Sequence, residues 1–387
     1  MKLVKLLRSL LRLLLLRGPT AQWWSLWKCR QLDRAYVRFL GKENAASTKP
    51  PGDPPLACPA RSGNALETIL FIGDCMWEQN ELFPEFRRIA SLEYFDLNPS
   101  LQENPAAPRF ETVARSLEAF VMTARNWEPD VILFYARPSL LSDVAFELLR
   151  RKWKCPLLGM NLDDRVQFFP YEIFASGDDN YGRWAKQFDL NLTNAYASLD
   201  WYRSRGCAVR YFPQGFHLEE QFKDPPTRID YDYRFSFLGS WKKERAMIVD
   251  RLRRAGAEIS LFGKGWPDSQ WAQSASSVFR RSQINLGIGF AQASARITTT
   301  KGRDFECPGV GACYLTTYNW ELPRLYEIGK EILCYRDIEE LLEVYQYHVI
   351  RPAECLRVAQ AAHRRCLAEH TWEKRFRKVF AELGFKV

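Results

Sequence analysis

The sequence predicts an α/β protein made of two parallel-sheet halves. Three observations carry this. From Glu67 onward short apolar strands alternate with helical stretches, and a second series of the same kind begins at Arg234. The 387 residues, 47% apolar and 14% aromatic, are enough chain for two hydrophobic cores.

In the first half, the apolar run 68–72 ends at Gly73-Asp74, and further strands are expected over 92–97, 130–135, 156–160 and 189–193. Helical periodicity covers 110–126, 139–152 and 195–205. In the second half, strand 234–238 ends at Gly239-Ser240, and a helix over 242–255 leads to strands 258–262 and 284–288. A short helix is expected near Asp304, then strands 313–316 and 331–334 and helices 337–347, 352–369 and 372–384. Short buried strands separated by helices imply parallel sheets covered on both faces. The expected organisation is an arm (1–43), a proline-rich linker (44–66), a first domain (67–215), a connection (216–233), a second domain (234–370) and a terminal helix (371–387).

Most of the net charge of +9 sits in the arm, where ten basic residues face Asp33 and Glu43. The rest of the chain is nearly neutral, which argues against nucleic acid, whose binding needs basic groups spread along a phosphate track. Lys5, Arg8 and Arg12 recur at helical spacing among leucines, and Trp23, Trp24 and Trp27 follow with more cations. Charges every few positions exclude a spanning helix, and no unbroken apolar run of signal-peptide length is present. The arm reads as an amphipathic helix lying on an anionic membrane surface, or else as an ordinary helix packed on the body with a solvated basic face. A cytoplasmic protein held at the inner face of the plasma membrane is the expectation. Ten scattered cysteines have no metal-ligand spacing and read as small core hydrophobes in a reducing compartment.

Ligands of open α/β sheets bind at the carboxyl ends of the strands. Gly73, Asp74, Gly239 and Ser240 stand at such ends, although a tight turn explains a lone glycine equally well. There is no GxGxxG fingerprint and no P-loop. The run Thr298-Thr299-Thr300-Lys301-Gly302-Arg303, placed before a short helix, combines hydroxyls, cations and expected free amides, which suits a pyrophosphate. Glu306 in the first turn could accept paired hydrogen bonds from ribose hydroxyls; taken alone, it reads equally well as a helix charge beside solvated cations.

The run from Arg303 to Thr371 resembles the C-terminal domain of group 1 glycosyltransferases, and within them the CgeB-like (spore maturation protein) type. The residues that carry the resemblance are Arg303, Phe305 and Glu306, Gly311 with the strand ACYLTT, Glu321-Leu322, GKEIL from Gly329, Tyr335-Arg336-Asp337 and Glu369-His370-Thr371. FLGS at 237–240, Arg245 and LFGKGW at 261–266 look like the opening of that domain. The first half is similar more loosely, through Asn161 to Asp164, Tyr202 to Gly206 and Pro213-Gln214-Gly215.

The resemblance implies a GT-B architecture: two Rossmann-like domains facing across a cleft, with a basic helical arm outside it. It further implies a nucleotide-sugar donor on the second domain, a glycan, lipid-linked or protein acceptor on the first, no catalytic metal and no cofactor. The implied donor residues are Gly239, Ser240, Arg245, Thr300, Lys301, Gly302, Arg303 and Glu306. Asp163 and Asp164 are the candidate catalytic carboxylates, with Gly73, Asp74 and His217 on the acceptor side. In the wider group a second glutamate stands eight positions before the one matched by Glu306, and Thr298 occupies that place here. Two functions are therefore expected: a membrane-associated glycosyltransferase, or a catalytically silent GT-B protein that binds a nucleotide or glycan as a scaffold.

Overall fold

A computed structural model of the chain describes residues 63–98, 109–124, 127–168, 180–227, 229–290 and 298–387. The basic arm, and the linker as far as residue 62, lie outside the described residues. Residues 52–289 and 300–387 form one compact unit, which carries both sheets. Of the remainder, Phe290 and Thr298 pair as an antiparallel bridge.

The first sheet contains β1 (Thr68–Gly73), β2 (Ser91–Asp96), β3 (Val131–Tyr135), β4 (Leu157–Asn161), β5 (Leu190–Thr193) and β6 (Val209–Tyr211) in the order β2-β1-β3-β4-β5-β6. All neighbours are parallel. The second contains β7 (Tyr233–Leu238), β8 (Ile259–Phe262), β9 (Ser282–Leu286), β10 (Tyr314–Thr317) and β11 (Leu333–Tyr335), in the order β8-β7-β9-β10-β11. The two halves thus repeat one strand order. Each reverses direction beside its first strand, and such a switch point opens a crevice at the carboxyl edge.

The longer helices are α1 (Arg109–Thr123), α2 (Asp143–Lys152), α3 (Lys243–Arg254), α4 (Ala275–Arg281), α5 (Arg303–Gly309), α6 (Ile338–Val349), α7 (Pro352–Glu369) and α8 (Trp372–Glu382). Side chains set several starts. Ser142, Ser274, Asp337 and Thr371 each accept a hydrogen bond from the amide three residues on, which relieves an orphan donor of the first turn. The Ser142 cap divides the expected 139–152 helix into a short 3-10 turn and α2. The expected 195–205 helix is likewise a 3-10 turn followed by Leu199–Arg203. β6 and α4 have too few apolar positions to show a period and do not stand out in the sequence.

The inner strands β1, β3, β4 and β5 of the first sheet are buried on both faces, while the edge strand β2 is largely exposed. One face packs with α1 and α2 around Trp153 and Phe146. The other carries Phe71, Phe83 and Phe86 together with Trp372, Phe376 and Phe380 of α8, so the last helix of the chain completes the first core. The Phe376 ring lies 4.5 Å from Phe86 and 4.9 Å from Phe212. Its fully buried side chain contributes about 2–3 kcal/mol by transfer from water alone. Phe216 and Thr371 bridge the two connecting segments directly before α8.

Candidate active site

At the carboxyl edge of the first sheet a pocket of about 200 Å³ is lined by Asp74 after β1, Tyr135 and Arg137 after β3, Asn161 and Asp163 after β4, and Trp77 and Glu78. It occupies the switch point between β1 and β3. Arg137 grips Asp74 through Nε at 2.9 Å and Nη2 at 3.3 Å. Asn161 builds the loop that follows β4: its Oδ1 accepts the Asp163 amide at 3.0 Å and its Nδ2 donates to Asp164 Oδ1 at 2.6 Å.

The adjacent aspartates therefore have different surroundings. Asp164 is fully buried and receives the Tyr202 hydroxyl on both oxygens, at 2.8 and 3.0 Å. Burial raises its pKa to about 7, against the pull of hydrogen bonds from Thr193 and Tyr202. Enclosed in this way it cannot reach an acceptor hydroxyl, and its role is to hold β4, β5 and Tyr202 together. That corrects its place as a catalytic candidate. Asp163 lines the pocket and is raised by burial, opposed by the charges of Lys301 and Lys242 from the second half.

Gly73 also has a structural reason: a Cβ there would drive into the Tyr135 carbonyl of the neighbouring strand. The glycine serves strand packing and not the approach of a ligand. His217 lies away from the pocket lining, with Nδ1 2.5 Å from buried Glu85 and its amide 3.1 Å from Glu81 Oε2.

On the second half, Gly239 and Ser240 follow β7 at its switch point. A Cβ on Gly239 would lie 2.5 Å from Nη1 of Arg303 and 3.2 Å from Nη1 of Arg245, so the glycine admits two guanidinium groups. Both sit over the Phe237 ring, at 5.4 and 5.6 Å. Arg303 donates to the Leu238 carbonyl, and Arg245 to the Ser240 carbonyl at 2.8 Å. Burial and then the neighbouring Arg303 charge lower Arg245 to about 10. Burial also lowers Lys301, which Asp163 and Asp304 pull back up. Among the described residues none of Lys242, Arg245, Lys301 and Arg303 forms a salt bridge. Clustered cations held by packing and carbonyls, with no carboxylate in contact, form a site for an anion.

The turn into α5 differs from the expected cradle of free amides. The Asp304 carboxylate accepts the Lys301 amide at 2.7 Å, the Asp304 amide bonds to Lys301 O, and the Phe305 and Glu306 amides both bond to Gly302 O. In this loop the Thr299, Thr300, Gly302 and Arg303 amides have no partner among the described residues. The side chains of Lys301, Arg303 and Arg245 add cations to these amides.

Beside this cluster, Glu306 Oε1 lies against Gly302, where a Cβ would collide with it, and Gln214 Oε1 would lie 3.5 Å from that Cβ. Gln214 Oε1 and Thr300 Oγ1 are buried with no hydrogen-bond partner. Burial, then the Glu81 charge, raises Glu306 to about 7. Two acceptor groups flanking a glycine, one of them unsatisfied, match a ligand that donates two hydrogen bonds, such as a vicinal diol.

The structure thus brings together Gly239, Ser240, Arg245, Lys301 and Arg303 as one group and Gly302 with Glu306 as another, while Asp74 and Asp163 share the pocket opposite. Trp77, Glu78, Arg137 and Lys242 were not singled out in the sequence, and Gln214 stood out only within the Pro213-Gln214-Gly215 run and not as a site residue. Arg137 follows β3 as Asp74 follows β1, so the strand-end rule alone could have marked it.

Residues 242–381 match the family model described as glycosyl transferase-like. No curated protein matches the chain in sequence. Among solved structures the chain is similar to HepE from Anabaena in complex with UDP and glucose, with a TM-score of 0.55 and 12% identity over 82% of this chain and 99% of that one. It is also similar to a glycosyltransferase from Rickettsia africae (TM-score 0.54, 9% identity, 82% and 98% covered). Sucrose-phosphate synthase from Thermosynechococcus elongatus is a third (0.52, 12%, 82% and 100%). The fold is GT-B, two Rossmann-like halves of like topology. The match to the family model lies in the second half of the chain.

Proposed function

We propose that this protein is a glycosyltransferase of the CgeB-like type that moves a sugar from a nucleotide-sugar donor to an acceptor bound by residues 67–215, with the donor held by residues 234–370. The observation that carries the reading is the cluster of Arg245, Lys301 and Arg303, none in a salt bridge among the described residues, set beside Glu306 and the unsatisfied Gln214. Diphosphate and ribose are the two parts of a nucleotide that these groups fit. HepE, similar in fold, is complexed with UDP and glucose, which makes UDP the first nucleotide to try.

Transfer builds positive charge at the anomeric carbon and negative charge on the departing diphosphate. Arg245 and Arg303, already oriented by Phe237 and backbone carbonyls, stabilise the latter without reorganising, and Lys301 adds a third positive charge. Asp163 is the acceptor-side base: it lies in the pocket, and burial raises its pKa against the pull of the Lys301 and Lys242 charges, which strengthens it as a proton acceptor. Thr298 in place of the group's first glutamate favours a second reading, a catalytically silent protein that binds the nucleotide.

Turnover of a panel of sugar nucleotides, with Glu306→Ala as control, separates the two. Binding with turnover supports the transferase, binding without it the silent protein, and absence of both rejects the site. The proposed setting is the cytoplasmic membrane face, with the arm as anchor and a cell-envelope glycan, lipid-linked or protein acceptor. No helix among the described residues is long and apolar enough to cross a membrane. Removal of residues 1–43 should abolish pelleting with anionic liposomes; unchanged pelleting rejects the anchor.

A further inference from the structure

We propose that the pocket at the ends of β1, β3 and β4 takes the acceptor as a single sugar ring, uncharged or amine-bearing, and turns away acceptors that carry phosphate or carboxylate there. This deepens the transferase reading and rests on it for the word acceptor; the ring-binding claim itself concerns the pocket alone.

Size is the first observation. A volume of about 200 Å³ lies below the range of about 300–1,000 Å³ usual for drug-sized ligands. It fits one ring and not a lipid tail or an extended peptide.

Shape is the second. Trp77 lines the pocket and is 38% exposed, although its ring is fixed edge-on to Tyr135 at 5.8 Å and lies 6.3 Å from Trp372. An open aromatic face whose orientation is locked by two other rings offers a platform for the C–H face of a pyranose. Asn161, Gln167 and Arg137 around it can meet hydroxyl groups.

Charge is the third and selects the class. The pocket holds Asp74, Glu78 and Asp163 against one cation, Arg137, which Asp74 already engages. Glu78 has no cation in contact among the described residues, and Asp163 is met only by the charges of Lys301 and Lys242 from the second half. Glu78 is 2% exposed and, besides accepting the Met76 amide, feels Asp74 and Asp96. Burial, then the charges of Asp96, Glu78 and Asp74, push the nearby Cys75 thiol up to about 12. Across the cleft Lys242, Arg245, Lys301 and Arg303 have the opposite sign. The charges are thus divided by substrate, with cations for the anionic donor and carboxylates for an acceptor that must not be anionic.

Saturation-transfer NMR on the full-length protein at low salt tests this with three soluble probes. These are N-acetylglucosamine oligomers (neutral), glucosamine oligomers (cationic) and glucuronate oligomers (anionic). Neutral and cationic probes should bind, with the anionic one weaker by about tenfold, the effect of one charge pair near a protein surface. Trp77→Ala should weaken neutral binding by about threefold to tenfold. The double variant Glu78→Gln with Asp163→Asn should remove the preference for cationic over anionic probe while neutral binding persists. Anionic binding equal to neutral, or neutral binding untouched in Trp77→Ala, overturns the proposal. UDP binding read on the same samples keeps the two ideas apart. Loss of UDP binding with intact glycan binding sinks the transferase reading alone, and intact UDP binding with no glycan binding sinks this one alone.

Discussion

Nδ1 of His217 lies 2.5 Å from Oε1 of Glu85, a carboxylate with no solvent exposure that also meets Arg88 and the Glu373 amide. The pair joins the segment after β6 to a short helix of the first half and to the start of α8. Nothing in the sequence spacing of residues 85 and 217 announces it. His217 is thereby a junction residue, held by the fold, and not part of the pocket lining.

His217→Ala should therefore lower stability by about 1–3 kcal/mol, the cost of leaving a buried polar group short of a partner. Urea unfolding reads it as a lower midpoint at unchanged slope, and an unaltered midpoint would show that Arg88 and Glu373 suffice.

Gly302→Ala places a methyl group against the Glu306 carboxylate. Moving that carboxylate costs about 1–3 kcal/mol, so the Kd for UDP should rise roughly tenfold to a hundredfold. Calorimetry checks this, with the thermal midpoint as control for folding.

Glu306 carries a pKa raised to about 7 by burial and the nearby Glu81 charge. As the acceptor of two ribose hydroxyls it must be ionised, so uridine and UDP affinity should rise with pH through about 7 and level off above. In Glu306→Gln the slope should vanish. Stability moves the other way: the folded state binds the extra proton between the ordinary carboxylate pKa of 4.5 and about 7, so stability falls as pH rises across that window. A slope retained in Glu306→Gln would assign it to another group.

Arg303→Lys keeps the charge but loses the stack on Phe237 and the fork that reaches the Leu238 carbonyl. UDP binding should weaken by about tenfold, the scale of one charge-assisted hydrogen bond, while uridine binding stays unchanged. Equal loss for both ligands would mean that the guanidinium does not face the phosphates.

His370 is buried, donates from Nε2 to the Leu325 carbonyl at 3.0 Å, and receives Arg375 Nη2 on Nδ1 at 3.2 Å. Burial, then the Arg375 charge, lowers its pKa to about 4. The unfolded chain binds the extra proton between the ordinary histidine value of 6.5 and about 4, so stability falls as pH drops through that interval. Acid unfolding of His370→Gln should lack this component; an identical profile would place it elsewhere.

Much of the fold is legible in the residues. The runs TILFI, DVILFY and RFSFL are too short for helices and too apolar for exposed strands, and each became an inner strand of a parallel sheet. Glycines after β7 and before Arg303 mark where backbone and guanidinium groups crowd together. The neighbours Asp163 and Asp164 were not separable in sequence, because one residue of offset after β4 decides which carboxylate lines a pocket and which is sealed against Tyr202. Free amides before α5 were likewise expected from the hydroxyl-rich loop, but Asp304 folds back onto the Lys301 amide, a choice that side-chain packing makes.

The sequence by itself determined the class of fold and its two halves, and marked the loop of hydroxyls and cations before α5, because apolar period, strand length and strand-end glycines are local properties of the chain. Tertiary structure alone decided which charges come together and which are sealed away. Asp163 and Lys301, Gln214 and Glu306, His217 and Glu85 meet only when the halves close on one another, and burial then shifts their protonation in ways no local pattern records.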